Sequence, residues 1–259
     1  MWRAALVVSR VTTCRDTNIR RMVATAHEAG DAGADLVVFP EAAPTGLINN
    51  DDPVHDLALG EPVPGPTTEL LAGVAASRGL YLAFGILERA GDRLYDSAVL
   101  LGPDGRVVFR YRRITPGWHG RNGDPRVYAH GARVHAAQTA LGRIALLICG
   151  DLFDDDVLSE MCALKPDLLL VLMSRSFEDC SHDQHRWEAE ELPYYLRRVA
   201  RAGVTTLLVN SVAGEDCGGD FGGAMAVSGA GELIASFPLG KAGVLLVDLD
   251  QSARVGPRE

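Results

Sequence analysis

The sequence contains no apolar run long enough to cross a bilayer. Its longest runs, such as Leu168–Met173, fall far short of the roughly 20 residues that a membrane helix needs. The first ten residues, MWRAALVVSR, also lack the apolar core of a secretory signal peptide. We therefore expect a cytoplasmic protein without a membrane partner.

Cysteine is scarce and shows no paired spacing. Five cysteines are scattered along 259 residues without a CxxC pair, so neither a disulfide framework nor a zinc ribbon is indicated. The segment CSHDQH gathers Cys180, His182 and His185, but the spacing matches no standard zinc finger and no fourth ligand is obvious. A polar loop is the favoured interpretation, and we expect neither a metal nor another cofactor.

Positive charge is also low. A formal net charge of -9 provides no electrostatic footprint for nucleic acid, so we expect no nucleic-acid partner. Of the 25 basic residues, only Lys165 and Lys241 are lysines. Hydrophobic residues make up 47% of the chain, which is enough to bury a large core, and no linker or low-complexity run divides it. We predict a single domain over residues 1–259.

Short apolar runs rich in β-branched residues alternate with segments compatible with helix, which predicts an α/β layer fold. The predicted strands are residues 4–8, 36–39, 81–87, 97–101, 107–110, 144–149, 168–173, 205–210, 224–228 and 243–248. The predicted helices are residues 17–32, 67–77, 157–163 and 185–202, with Asp16 or Thr17 capping the first. The turns GPDGRV and SGAGEL each predict a hairpin. The polar, proline-rich residues 49–66 predict a surface loop.

Two chemically reactive side chains come at the ends of predicted strands. Glu41 directly follows one strand, and Cys149 ends another just before Gly150. Ligand sites of α/β sheets usually lie at the carboxyl ends of strands. Viewed alone, however, Glu41 fits a solvated loop carboxylate, and Cys149 fits a buried core thiol. Position by itself therefore leaves both interpretations open.

The acidic residues after Cys149 require a compensating cation if this thiol is reactive. Asp151 and residues 154–156 bring negative charge, which raises the pKa of a thiol, whereas a nucleophilic cysteine needs the thiolate. Arg110, Arg112 and Arg113 leave another predicted strand in the segment FRYRRITPGW. We expect this segment to supply the positive charge.

Four segments, taken together and in order, resemble the carbon-nitrogen hydrolase (nitrilase) superfamily. They are DTNIRRMVATAHEAGDAGADLVVFPEAAPTGL, YLAFGILERAGDRLYDSAVLLGPDGRVVFRYRR, LLICGDLF and DFGGAMAVSGAGELIASF, and they span nearly the whole chain. The resemblance implies a four-layer αββα sandwich, usually assembled as a homodimer. It also implies hydrolysis of a non-peptide C–N bond in a small-molecule amide, carbamoyl compound or nitrile by a Glu, Lys and Cys triad.

The resemblance assigns a role to individual residues. Glu41 becomes the general base, and Cys149 becomes the nucleophile that forms a thioester or thioimidate. The Gly150 N–H would help to hold the oxyanion. The family lysine falls on Arg113, and the second acid of many members falls on Asp124.

The arginine in place of lysine leaves two activities open. A guanidinium stays protonated, so Arg113 would stabilise a thiolate and an oxyanion but would be a poor proton donor. The first activity is hydrolysis. The alternative is a catalytically altered member of the family that acts as an acyltransferase or as a ligand-binding or scaffold protein.

Three further side chains are candidates for the substrate pocket or its surroundings. Arg175 follows a strand where similar enzymes contact the acyl part of the substrate, and it would bind a carboxylate bidentately unless it is an ordinary surface arginine. Trp118, next to His119 in PGWHGRNG, either lines the pocket near Arg113 or simply packs. Asn210 is expected to have a structural role.

Overall fold

The computed structural model describes residues 1–214 and 219–250, which form fourteen strands and six α-helices. The strands are β1 (Trp2–Val8), β2 (Arg10–Val11), β3 (Leu36–Val38), β4 (Tyr81–Ala90), β5 (Arg93–Leu101), β6 (Val107–Arg112), β7 (Ala136–Thr139), β8 (Gly142–Ile148), β9 (Leu168–Met173), β10 (Thr206–Asn210), β11 (Val212–Ala213), β12 (Gly222–Val227), β13 (Leu233–Leu239) and β14 (Gly243–Leu249). The helices are α1 (Arg15–Asp31), α2 (Pro53–Leu59), α3 (Pro66–Arg78), α4 (Asp155–Ala163), α5 (Gln184–Arg186) and α6 (Leu192–Ala202). A short 3₁₀ helix spans Cys149–Phe153, and a π-helical turn, Trp187–Glu191, joins α5 to α6.

The strands build two six-stranded sheets. The first has the order β14-β1-β3-β4-β5-β6, the second has the order β13-β12-β10-β9-β8-β7, and β11 pairs with β2 beside them. Apolar side chains of both sheets share one core, which α4 and α6 extend on the outer side of the second sheet. A second core lies between the first sheet and helices α1 and α3. The layers are therefore helix, sheet, sheet, helix, which confirms the predicted αββα sandwich.

Strand β1 shows how the sequence produces these layers. Side chains of a strand alternate between the two faces of its sheet. Ala4, Leu6 and Val8 accordingly face the core between the sheets, and Ala5 and Val7 face the core under α1 and α3. Because both faces are buried from Ala4 to Val8, this part of the strand is a continuous apolar run.

The strand directions bring several strand ends to one side of each sheet. Strands β1, β3 and β4 run parallel, and β6 runs in the same direction as β4 because each is antiparallel to β5. Strands β8, β9 and β10 are also parallel to one another. The residues that follow β3 and β6 therefore lie at one edge of the first sheet, and those that follow β8 and β9 lie at one edge of the second.

Most of the predicted elements are confirmed, and the loop predicted over residues 49–66 is the main correction. This segment contains helix α2, because the side chain of Asp52 accepts a hydrogen bond from the Val54 N–H and Pro53 occupies the first turn. The prediction was also wrong at the start of α1, where Cys14 is the N-cap residue and Asp16 lies in the first turn. Strand β7 was missed, and Cys217 lies outside the described residues. Within the described ranges, no helix is long and apolar enough to span a membrane.

Candidate active site

Glu41, Arg113 and Cys149 are brought together from three separate parts of the chain. Glu41 lies in the turn after β3, Arg113 directly follows β6, and Cys149 begins the 3₁₀ helix after β8. The exposed fractions of these residues are only 1%, 4% and 6%. The buried position of Glu41 excludes the solvated loop carboxylate that its sequence position alone suggested. These residues form a compact ionisable cluster at the edges of the two sheets.

The guanidinium of Arg113 connects this cluster through several hydrogen bonds. Its Nη1 donates to Glu41 Oε1 at 2.8 Å and to Asp96 Oδ2 at 3.4 Å. Its Nε donates to Thr115 Oγ1 at 3.2 Å, and its Nη2 donates to the Pro116 carbonyl oxygen at 3.2 Å. A guanidinium has five N–H groups, so one N–H on Nη2 has no acceptor among the described residues.

Gly150 is required by the close approach of this guanidinium. A Cβ atom at position 150 would lie 2.7 Å from Nη2 of Arg113 and 2.9 Å from Oγ1 of Thr115. Any side chain at this position would therefore displace Arg113 or Thr115. Nη2 of Arg113 thus lies directly beside the residue that follows Cys149.

The backbone holds Cys149 in an uncommon conformation. Its φ angle is 44°, in the left-handed region that non-glycine residues rarely adopt. Such strained residues persist where the surrounding structure fixes them, and they cluster at active sites. Here the strand β8 ends and the 3₁₀ helix begins, so the chain turns sharply at the thiol.

The acidic residues after Cys149 serve structural purposes. Asp151 is fully buried and its carboxylate accepts hydrogen bonds from Tyr111 Oη at 2.6 Å, from the Ile148 N–H at 3.2 Å and from the Ile114 N–H at 3.3 Å. The N–H and the hydroxyl of Thr115 donate to it at 2.9 and 2.8 Å. Five donors satisfy this carboxylate, which ties the 3₁₀ helix of Cys149 to the segment after Arg113.

The next acids stabilise the following helix. The side chain of Asp154 caps α4, and Asp155 forms ion pairs with Arg198 at 2.6 Å and with Arg201 at 2.7 Å. These arginines lower the pKa of the Asp155 carboxyl, and the hydrogen bond from Arg198 has the largest effect. Asp151, Asp154 and Asp155 therefore have partners of their own.

Of the three arginines at the end of β6, only Arg113 enters the site. Arg110 and Arg112 both pair with the buried carboxylate of Glu88, at 2.8 and 2.6 Å. Residues two apart in a strand share a face, so Arg110 and Arg112 both lie beside Glu88. The expected cation is thus a single guanidinium.

Asp96, in strand β5, belongs to the cluster and was missed in the sequence. It is 1% exposed, its Oδ2 accepts from Arg113 Nη1, and its backbone carbonyl accepts from the Arg113 N–H at 2.9 Å. The available signal was an acid within the otherwise apolar run LYDSAVLL, since a buried carboxylate needs a partner.

The environment shifts the pKa values of Glu41, Asp96 and Arg113. Burial, the neighbouring thiolate form of Cys149 and the charge of Asp96 raise the pKa of Glu41 well above its ordinary value, and Arg113 opposes this shift. Burial also raises the pKa of Asp96, again against the effect of Arg113. Burial disfavours the charge of Arg113, but the nearby Glu41, Cys149 and Asp96 outweigh this effect and raise its pKa. Arg113 is therefore always a cation here.

Arg175 reaches the site from the end of β9. Its side chain is one third exposed, and its guanidinium lies 5.0 Å from the ring centre of Phe153 and 3.8 Å from the carboxylate of Glu191. Burial lowers its pKa, but the charges of several neighbours, Cys149 and Glu41 among them, raise it overall. Through Phe153, Arg175 therefore lies near the 3₁₀ helix that begins at Cys149.

The backbone of Arg175 is held by Asn210. The side-chain oxygen of Asn210 accepts from the Arg175 N–H at 2.8 Å, and its Nδ2 donates to the Arg175 carbonyl at 3.0 Å. Nδ2 also donates to the Gly222 carbonyl at 3.1 Å. These bonds support the structural role expected for Asn210.

Trp118 packs in a small core next to the turn that contains Glu41. It is buried with Ala42, Leu87, Leu94 and Tyr128, and its indole N–H has no acceptor among the described residues. Trp118 therefore packs beside the turn that contains Glu41 and Ala42. A contact between Trp118 and the substrate remains a prediction.

The structure does not bring Asp124 to the cluster. Its carboxylate pairs with Arg126 at 2.7 Å, and hydrogen bonds from Arg126 lower its pKa. The side chain of Asp124 is 28% exposed. The second carboxylate that contacts Arg113 belongs to Asp96. Asp96 lies in strand β5, whereas the sequence indicated the loop that contains Asp124. A catalytic role for Asp124 stays a prediction without a contact to support it.

With this geometry established, comparison with known proteins identifies the family. The sequence pattern of the carbon-nitrogen hydrolase family matches residues 3–257. The chain therefore belongs to the carbon-nitrogen hydrolase family, which confirms the resemblance read from the sequence.

Two curated relatives match parts of the chain. Nitrilase 3 from an unknown prokaryotic organism is 30% identical over 162 residues, which cover 56% of this chain and 47% of the relative. A formamidase from Bacillus thuringiensis (strain Al Hakam) is 32% identical over 105 residues, which cover 39% of this chain and 31% of the relative. The chain thus spans less than half the length of these relatives.

Solved structures of an amidase share the fold. The amidase from Nesterenkonia sp. superimposes with a TM-score of 0.79 at 19% identity, covering 96% of this chain and 90% of that one. A variant of the amidase from Nesterenkonia sp. AN1 in complex with butyramide gives a TM-score of 0.79 at 20% identity, with the same coverage of 96% and 90%. At this identity the comparison shows the αββα fold alone.

Proposed function

We propose that this protein hydrolyses the C–N bond of a small-molecule amide through a thioester on Cys149. The observation that supports this most strongly is the state of Glu41. Its Oε1 is held by Arg113, and no N–H or O–H donor of the described residues reaches its buried Oε2. A carboxylate oxygen without a donor, close to a thiol and with a raised pKa, is suited to accept a proton as a general base.

The reaction follows from the positions of these groups. Glu41 takes the thiol proton, and the sulfur of Cys149 attacks the carbonyl carbon of the amide, forming a C–S bond. The free N–H of Arg113 Nη2, together with the Gly150 N–H, stabilises the negative charge on the tetrahedral oxygen. Glu41 then returns its proton to the departing nitrogen, and the C–N bond breaks to release ammonia.

The second half of the reaction regenerates the thiol. Glu41 removes a proton from a water molecule, whose oxygen attacks the thioester carbon. The C–S bond breaks, the sulfur recovers a proton from Glu41, and the carboxylic acid leaves. Arg113 stays protonated throughout, because its pKa is raised, so it acts through charge and hydrogen bonds only.

Small amides are the substrate class that the comparisons support. The names of the similar proteins include a formamidase and an amidase studied with butyramide, whereas one relative is named a nitrilase. We propose an amide in preference to a nitrile or carbamoyl compound. The guanidinium of Arg175, a third exposed at the edge of the site, would favour acyl groups that bear a carboxylate.

We also propose that the protein works as a homodimer. The apolar side chains of Tyr194, on α6, and Leu233, at the start of β13, are exposed on the outer side of the second sheet. Burial of these side chains against a second copy would remove an apolar surface from water.

One observation favours the alternative activity, a family member that binds its ligand without hydrolysis. The direct pairing of Glu41 with Arg113 opposes the rise in the pKa of Glu41 and so lowers its basicity. A protein of this kind would bind amides at the same site but would release no ammonia.

Ammonia release tests the proposal. A panel of short aliphatic amides, amides with an acidic acyl group, carbamoyl amines and nitriles would be incubated with the wild type, Cys149→Ala and Cys162→Ala. Cys162 is a matched control, because its thiol lies in α4 and contacts the backbone carbonyl of Ala202. We expect release from amides by the wild type and Cys162→Ala and none by Cys149→Ala. Release by Cys149→Ala would contradict the mechanism, and no release by the wild type would favour the alternative.

A further inference from the structure

Two buried carboxylates share one guanidinium at this site. Arg113 Nη1 lies 2.8 Å from Glu41 Oε1 and 3.4 Å from Asp96 Oδ2, and both acids are only 1% exposed. The remaining oxygens, Glu41 Oε2 and Asp96 Oδ1, are buried and have no N–H or O–H donor among the described residues. The two carboxyl groups thus meet at the same nitrogen atom of Arg113.

A count of charges shows that the two acids cannot both be ionised at low cost. One cation faces two buried carboxylates, and unpaired buried charge is strongly disfavoured. A single proton between the two acids removes the excess charge and supplies the missing donor to one of the oxygens. Like charges held this closely are known to share a proton.

The other ionisable groups around the two acids do not supply the missing positive charge. Asp151 is satisfied by five donors and adds negative charge near Asp96, and the hydroxyl of Tyr111 donates to Asp151. Cys149 adds negative charge when it ionises. Arg175 acts on Glu41 from the end of β9, but it is partly exposed and near Glu191.

We propose that Asp96 and Glu41 form one carboxyl pair, bridged by Arg113 and holding a single proton, and that Asp96 thereby sets the pH at which Glu41 works as the base. Asp96 is a positioning residue in this scheme, since it acts through Glu41 and Arg113. The pair loses this proton as the pH rises through the acid limb, so Glu41 is ionised beside a charged Asp96 when it accepts the proton of the thiol. The predicted effect on turnover rests on the proposed function, whereas the shared proton does not.

The test compares the pH dependence of kcat/KM for wild type, Asp96→Asn and Asp92→Asn. Asparagine preserves the shape of Asp96 but removes its charge and its exchangeable acid proton. The acid limb of Asp96→Asn should move to lower pH by about one unit, because the like charge beside Glu41 has gone. Asp92, exposed in the turn between β4 and β5, is the matched control, and its variant should keep the wild-type profile. An acid limb unchanged in Asp96→Asn, with only the rate reduced, would overturn the proposal.

Infrared titration provides a second reading that does not need turnover. In the wild type, the carbonyl band of a protonated carboxyl group should be present at low pH and disappear as the pH rises. If turnover is measurable, the midpoint of this change should equal the midpoint of the acid limb. In Asp96→Asn this midpoint should be lower, and in Glu41→Gln the remaining acid should also titrate at lower pH. A wild type without a band that responds to either substitution would overturn the pair. If the wild type releases no ammonia but shows this band, the proposed hydrolysis fails and the carboxyl pair stands.

Discussion

The carboxylate of Glu41 accepts a hydrogen bond of 2.8 Å from the guanidinium of Arg113, although the two residues lie 72 positions apart. This contact joins the turn after β3 to the end of β6, at one edge of the first sheet. Cys149 reaches the same place from the second sheet. The site therefore depends on the packing of the two sheets against each other.

Replacement of Arg113 by lysine should lower activity, because one ammonium cannot replace all the hydrogen bonds of the guanidinium. A lysine ammonium has three donors, which would engage Glu41 and Asp96 but leave Thr115 and Pro116 without their partner. Loss of the N–H beside Gly150 removes an oxyanion donor, which typically costs on the order of 100-fold in kcat. Steady-state kinetics of Arg113→Lys measure this directly. A rise in kcat would instead mean that arginine impairs a lysine-adapted site.

Substitution of Gly150 by alanine should abolish most of the activity. The new Cβ would lie 2.7 Å from Arg113 Nη2, so the guanidinium has to leave its position beside the thiol. Gly73, in α3, is a suitable control because a Cβ there has no atom within 4 Å. Gly73→Ala should retain activity and raise the free energy of unfolding by up to about 1 kcal/mol. Wild-type kinetics in Gly150→Ala would show that this close approach has no catalytic importance.

The α/β class could be predicted because it depends on local patterns. The αββα layers and the grouping of Glu41, Cys149 and Arg113 were implied by the resemblance to the carbon-nitrogen hydrolase superfamily. Strand β9 is a continuous apolar run, and β1 is one from Ala4 to Val8. Strand β7 was missed because its four residues, AAQT, contain little of the β-branched apolar character that identifies a strand.

Other features depend on contacts that no local pattern specifies. The sequence does not distinguish Arg113 from its neighbours Arg110 and Arg112, whose partner Glu88 lies on a different strand. Likewise, the acids after Cys149 suggested repulsion of a thiolate, whereas donors of the distant residues Tyr111, Ile114 and Thr115 help to satisfy Asp151. Asp96 became visible as a site residue only when the fold placed it beside Arg113.

Activity should fall on the acid side at a higher pH than for an ordinary carboxyl group. Burial raises the pKa of Glu41, and its ionised form is the one that accepts the thiol proton. As the pH decreases through this raised pKa, Glu41 gains a proton and kcat/KM declines. The midpoint should therefore lie above about 4.3, the ordinary value for glutamate. A pH profile of kcat/KM measures it, and full activity down to that value would contradict the raised pKa.

Replacement of Arg175 by glutamine should change the preference among substrates. For amides with a carboxylate in the acyl part, KM should rise by about 10-fold or more, as expected when a charged hydrogen-bonded pair is lost. For neutral amides of the same length, KM should change little. Parallel kinetics on one acidic and one neutral amide provide the comparison. An equal effect on both substrates would assign Arg175 to the structure of the site.

The central claim is that Cys149 forms a covalent acyl intermediate, and rapid quenching followed by peptide mass spectrometry tests it most directly. Wild-type protein would be mixed with an amide that it turns over, quenched with acid at short times and digested. We predict that the peptide containing Cys149 gains the mass of the acyl group and loses it again when the substrate is exhausted. Turnover without this adduct, or an adduct on another cysteine, would contradict the claim.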